Sequence, residues 1–317
     1  VAALALAWAC ACSGDFSDLV PPTVDEDATL PAADVNDTRV HLATFGRPGD
    51  PVVVVLHGGP GHDHRSLQPL AALADHGFHV VMWDQRGTGL SRRHDCDELT
   101  AERYLADLET IADRYAPPGG PPLFLVGHSW GAMYATWFIH AHPERVRAAV
   151  LVEPGGFTRA DVEAYFSALF TSAPLSEAIG DGLWTGRLLT PDDHARADLM
   201  SATMYAAVRA PLGMSETDPM PSWRGGGVVA TCMPPTAGDF DWTPGLATYP
   251  GEILFLHGDR NRVLDREHQA RLAAHFGHVT VREIPGAGHD LHWVARERFV
   301  ELTRTHLTAQ LEQGAQP

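Results

Sequence analysis

Short apolar runs recur along the chain at 52–56, 80–83, 123–126, 148–152, 253–256 and 279–284. Most are apolar throughout instead of alternating, which predicts strands buried on both faces, as in a parallel sheet. Helical patterns fall between them, at about 66–76, 101–115, 131–142, 265–276 and 295–310. Strand–helix alternation predicts an α/β fold with a mostly parallel, doubly wound sheet. The alternation lapses between about Phe157 and Trp242, where Pro, Gly and Met are scattered through a helical, loop-rich stretch. That stretch reads as a helical cap at 157–243, inserted between two parts of one core, 38–156 and 244–317.

The ends carry different signals. Residues 2–11 form an apolar run that is too short to span a bilayer. It fits an export signal, expected over 1–12, although the chain begins with Val1 and shows no basic leading segment. Cys10 and Cys12 each follow an alanine, as in a bacterial lipoprotein signal, and either offers a lipid-anchor site. Residues 13–37 are rich in Pro, Asp, Thr and Ala and predict a flexible tether. The expected location is therefore the bacterial cell envelope or the exterior, or the cytoplasm if the apolar run is not a signal. Cys96 and Cys232 remain in the body, either as a disulfide or as two free thiols.

Composition narrows the chemistry. The formal net charge is -17, without a basic run, so nucleic acid is excluded as an expected partner. There is no lysine, and every basic residue is arginine. Schiff-base chemistry, Ser–Lys dyads and the P-loop lysine are thereby ruled out.

Gly127-His128-Ser129-Trp130-Gly131 follows a predicted strand and opens a predicted helix. G-x-S-x-G in that setting is a nucleophile elbow: a tight turn lifts the serine above the sheet, and the helix N-terminus favours developing negative charge. A serine needs a base. His289, in Gly286-Ala287-Gly288-His289 after the last strand, occupies the right edge of the sheet. His292 reads as a surface or supporting residue.

His57-Gly58-Gly59-Pro60-Gly61 and Asp84-Gln85-Arg86-Gly87-Thr88-Gly89-Leu90-Ser91 each follow a strand as well. With the serine motif, these resemble the proline iminopeptidase branch of the α/β-hydrolase fold, over about 40–156 and 245–310 but not the cap. The resemblance implies an oxyanion hole from the N–H groups of Gly59 and Trp130. It gives the Asp84 segment a bracing role, with Asp84 and Arg86 expected to pair or hydrogen-bond there. The cluster His57, His62, Asp63 and His64 matches no zinc spacing. No cofactor and no metal are implied.

The acid is where the chain departs from that branch. The family places an aspartate in a H-G-x-x-D pattern, but the chain reads His257-Gly258-Asp259-Arg260-Asn261. Asn261 cannot stabilise an imidazolium as a carboxylate does. Glu153, ending the strand after the nucleophile, is the preferred acid, and Asp259 is the alternative.

The expected partner is a small molecule or a short peptide. An aminopeptidase of proline iminopeptidase type must hold a free ammonium, for which the cap offers Asp161, Glu163, Glu177, Asp181, Asp192, Asp193, Asp198, Glu216 and Asp218. Most of these read as a solvated surface. An esterase would use the cap's apolar side chains, among them Tyr165, Phe166, Phe170, Trp184, Met200, Met204, Tyr205 and Trp223, as a pocket or as cap core. Epoxide hydrolases and dehalogenases carry Asp in place of Ser129. A non-catalytic binding protein on the same fold is a third alternative.

Overall fold

The computed structural model describes residues 20–172, 179–180, 192–232 and 238–314. The expected signal, with Cys10 and Cys12, lies outside them. Strands β1 (Ala32–Val35), β2 (Thr38–Phe45), β3 (Val52–Leu56), β4 (His79–Trp83), β5 (Leu123–His128), β6 (Val146–Val152), β7 (Glu252–Gly258) and β8 (Val279–Ile284) form one sheet. Their spatial order is β1-β2-β4-β3-β5-β6-β7-β8. The β1–β2 and β2–β4 pairs are antiparallel and the others parallel. The continuous apolar runs are buried on both faces: every residue of β3, β4 and β5 is inaccessible or nearly so.

Helices α1 (Ala101–Tyr115), α2 (Trp130–Ala141), α6 (Arg266–Ala273), α7 (Leu291–Val294) and α8 (Arg296–Gly314) cover the sheet. Between β6 and β7 lie α3 (Arg159–Ser172), α4 (Asp193–Val208) and α5 (Gly227–Cys232). Side-chain caps start several helices: Thr100 accepts the N–H of Arg103, and Asp265 that of His268. The segment His64–His76 folds as successive 3-10 turns, because Pro69 inside it lacks an N–H and clashes with the preceding turn. No described helix is long and apolar enough to cross a membrane.

Two sequence expectations are corrected here. Residues 20–37 are no tether: Val24 is buried, its N–H donates to Leu90 O at 2.8 Å, and β1 pairs with β2. Composition hid this because β1 is a four-residue edge strand and its packing partners are remote in sequence. Of the two outcomes expected for Asp84 and Arg86, hydrogen bonding holds and pairing with each other does not. Asp84 accepts from His41 Nδ1 at 2.9 Å, His64 Nδ1 at 2.7 Å, His64 N at 2.9 Å and Leu90 N at 2.8 Å. Arg86 donates instead to Asp107 and Asp37, at 2.8 and 2.5 Å. Both lie beyond the end of β4, in the turn that follows it, and each finds its own partners.

Cys96 and Cys232 form a disulfide, with Cα atoms 5.8 Å apart. It fastens α5 to the loop before α1. Polar contacts add to this fastening. Gly226 N donates to Gly61 O at 2.6 Å. Asp198 accepts from Arg224 Nε and Gly227 N, both at 2.7 Å. Asp63 accepts from Ser222 Oγ at 2.8 Å.

Candidate active site

The strand order reverses at β3, whose neighbours β4 and β5 lie on opposite sides of it. Ligands bind open α/β sheets beyond the carboxyl ends of the strands at such a switch point. The loop after β3 carries Gly58 and Gly59, and the turn after β5 carries Ser129.

Ser129 has φ 53° and ψ -119°, in the left-handed half of backbone space. A non-glycine residue there costs on the order of 1–3 kcal/mol and is retained only where the surroundings enforce it. Here β5 delivers the chain into the turn, and Ser129 N donates to Val152 O at 2.8 Å. The flanking glycines are sterically required. A Cβ on Gly127 would overlap the backbone of Gly131, and a Cβ on Gly131 would overlap the carbonyl of Leu56.

Glu153 is the second strained residue, with φ 44°, and its side chain is fully buried. A buried carboxylate is costly unless its lone pairs are used. Gly258 N donates to Oε1 at 2.8 Å, while Asn261 Nδ2 and His289 Nδ1 each donate to Oε2 at 2.7 Å. Because a carboxylate only accepts, the proton of neutral His289 sits on Nδ1. Nε2 is left as the basic nitrogen. Asp259 is elsewhere: its carboxylate accepts the N–H of Gly286 at 2.7 Å on the surface.

The imidazoles around this site are buried and neutral. His57 sits beneath the glycine loop, with its pKa pushed down to about 4 by burial. Gln85 N donates to its Nε2 at 3.0 Å, so Nδ1 carries the proton and donates to Gly58 O at 2.9 Å. Gln85 also accepts from Trp130 Nε1 at 2.8 Å. The bracing role of this segment thus has a physical form, linking the glycine loop to the helix after Ser129. Burial holds His128 well below the usual histidine range, and its Nε2 donates to His289 O at 2.8 Å. His292 is no surface residue. It is fully buried, its ring lies 4.0 Å from that of His128, and burial pushes its pKa down to about 3. Its place against His128 is that of a supporting residue.

Of the residues weighed as a metal cluster, His64 alone joins a compact group, with His41 and Asp84. Asp84 already has four N–H donors there. Burial opposes its charge, but His64 and His41 outweigh that and hold its pKa well below the usual carboxylate value. The group therefore reads as a hydrogen-bonded brace.

Ser129 and His289 open into one cavity of about 450 Å3 beneath the cap. Tyr165, Phe166, Leu169, Met200, Met204 and Tyr205 supply much of its wall. No carboxylate lines it among the described residues. Several of the described cap acids have other partners. Asp161 caps α3 through Thr158, Asp192 caps α4, and Asp198 binds arginines. Asp218 accepts from Trp293 Nε1, and Glu163 pairs with Arg159. Glu177, Asp181 and Trp184 lie outside the described residues. Asp63 lines a smaller neighbouring cavity, but both its oxygens accept N–H groups.

Comparison with known proteins agrees with this architecture. The alpha/beta hydrolase fold family matches residues 51–295. The chain is 29% identical over 308 residues to Epoxide hydrolase A of Mycobacterium tuberculosis (strain ATCC 25618 / H37Rv), covering 85% of this chain and 93% of that protein. It is 33% identical over 105 residues to Proline iminopeptidase of Clostridioides difficile (strain 630), covering 32% of this chain and 35% of that protein. Among solved structures, the proline iminopeptidase-related protein of Thermus thermophilus superposes with a TM-score of 0.64 at 23% identity. That match covers 88% of this chain and 96% of the other.

Proposed function

From its place in the alpha/beta hydrolase fold family, to which this chain belongs, we propose that it is a serine hydrolase acting on esters of uncharged, apolar substrates. The observation that carries this reading is the bond from His289 Nδ1 to Glu153 beside Ser129, in an apolar cavity with no described carboxylate.

Ser129 Oγ attacks the ester carbonyl while His289 Nε2 takes its proton. Glu153 holds the imidazole in the required tautomer and offsets the charge it gains. Trp130 N, the first N–H of α2, has no acceptor within its own helix and faces the developing oxyanion together with Gly59 N. His289 returns the proton to the leaving alkoxide, and water then releases the acyl group by the same steps. No cofactor takes part.

The similarity to an epoxide hydrolase does not extend to the nucleophile's chemistry. A carboxylate opening an epoxide forms an ester, whose carbonyl water can attack. A serine hydroxyl would form an ether with no carbonyl, and turnover would stop. The aminopeptidase reading is favoured by the local match to proline iminopeptidase. It requires a carboxylate in reach of a substrate ammonium, and the described cavity wall offers none.

The test is a panel of prolyl naphthylamide and neutral naphthyl esters, with Ser129→Ala as blank. Ester hydrolysis that vanishes in the blank is the expected result. Cleavage of the prolyl amide without the esters would replace this reading with the aminopeptidase.

A further inference from the structure

Ser129 stands at the junction of two cavities of very different size. The larger, about 450 Å3, also contains His289. The smaller, about 20 Å3, is closed by Trp130, Met133, Gly155 and Val162. Both share Gly59, Pro60, Tyr165 and Phe166. His289 lines only the larger and Trp130 only the smaller.

Proton transfer decides which half of an ester enters which cavity. The leaving oxygen must come within about 2.6–3.2 Å of the histidine that protonates it. The alcohol half therefore lies in the larger cavity. The carbonyl oxygen points between the N–H groups of Gly59 and Trp130. The third substituent of the carbonyl carbon, the acyl chain, is left with the smaller cavity. A site for one water-sized group needs roughly 10–15 Å3 by the same measure, so this space takes about one such group. Its walls cannot recede readily. Trp130 and Met133 are buried on α2. A Cβ at Gly155 would already lie 3.2 Å from Tyr165 and 3.4 Å from the sulfur of Met133.

We infer that the enzyme hydrolyses esters of an acetyl-sized acid with a bulky apolar alcohol, and that Met133 and Val162 set the limit on acyl length. This rests on the serine-hydrolase reading above. In each turnover the Ser129 Oγ–carbonyl bond forms and the alkoxy C–O bond breaks. The alkoxide leaves with the proton from His289, and one water restores Ser129 and yields the short acid.

The test uses the full chain with 1-naphthyl acetate, propionate and butyrate, then with ethyl and hexyl acetates. With the alcohol fixed, kcat/KM is expected to fall about 10-fold or more for each added methylene. With the acid fixed, it is expected to rise from ethyl to hexyl. Met133→Ala should raise the butyrate-to-acetate ratio by about 10-fold or more. Val162→Ala enlarges the same cavity from α3 and should move that ratio the same way, so the test survives if Met133→Ala fails to fold. Butyrate turned over as well as acetate, or a ratio unmoved in both variants, overturns the inference and leaves the hydrolase reading standing. Inertness toward every ester, or activity that survives in Ser129→Ala, overturns the hydrolase reading itself.

Discussion

Asn261 donates its amide N–H to the Glu153 oxygen that also receives His289, both at 2.7 Å. Its own carbonyl oxygen accepts the N–H groups of Val263 and Leu264, which fixes which way the amide points. The position where the resembling family carries its aspartate has thus become a donor to a carboxylate held one strand away. The carboxylate at this imidazole comes from the end of β6, and an amide stands beside it.

Glu153→Gln should therefore lower kcat by about 10,000-fold, the scale seen when an orienting carboxylate becomes an amide and favours the wrong tautomer. Asp259→Asn should leave kcat unchanged, since Asp259 bonds to a surface N–H. Steady-state kinetics on a naphthyl ester decides it, and the reverse pattern would return the acid to Asp259.

The carboxylate should be partly movable to position 261. Asn261→Asp alone places two carboxylates side by side, and like charges push one of their pKa values up. Combined with Glu153→Gln, it restores a single carboxylate near His289 and should recover kcat at least about 10-fold over Glu153→Gln. No recovery would mean that a shorter side chain at 261 cannot reach the imidazole.

The disulfide Cys96–Cys232 closes a loop spanning 136 residues and holds α5, whose Ala230 and Thr231 line the large cavity. Cys96→Ser is expected to cost about 2–5 kcal/mol of stability in urea unfolding. It should raise KM more than it lowers kcat, because the proposed catalytic groups follow the ends of β5, β6 and β8 and none is on α5. An unchanged KM would show that α5 stays docked through Gly226, Asp198 and Asp63 alone.

Buried imidazoles predict acid sensitivity. His57, His62, His128 and His292 have folded pKa values below 6.5, with His62 and His292 near 3 because of burial. The unfolded chain binds these protons first, so the stability they contribute is present above pH 6.5 and is lost as pH falls. Asp63 acts in the opposite sense. Burial and the nearby charge of Asp84 push its pKa up to about 6, so its contribution is present below 3.8 and lost as pH rises through about 6. His292 has no partner on either ring nitrogen among the described residues. His292→Leu should therefore shrink the loss of unfolding free energy between about pH 8 and about pH 5. An equal loss in the variant would assign the acid sensitivity to the other groups.

Continuous apolar runs marked strands β3 to β7, because a strand buried on both faces must be apolar at every position. The serine turn was legible for a related reason: at Gly127 and Gly131 only glycine fits. β1, β2 and the packing of 20–37 were not legible. β1 is an edge strand and β2 lies next to it, both are only partly buried, and their patterns are too mixed to stand out from a loop. The acid was only half legible, because a glutamate at the end of an apolar strand signals a buried partner without naming it.

The sequence by itself determined the order of the core elements from β3 on, the serine turn, the glycine loop and the candidate histidine, all of which depend on local backbone constraints read over a few residues. The tertiary structure decided what depends on distance across the chain. It placed Glu153 and not Asp259 on His289, sent Asp84 and Arg86 to separate partners, joined Cys96 to Cys232, and buried His292. It also left the described wall of the cavity without a carboxylate. Hydrogen bonds and desolvation act over a few ångströms in space, whatever the separation along the chain, and only the folded arrangement fixes which groups come that close.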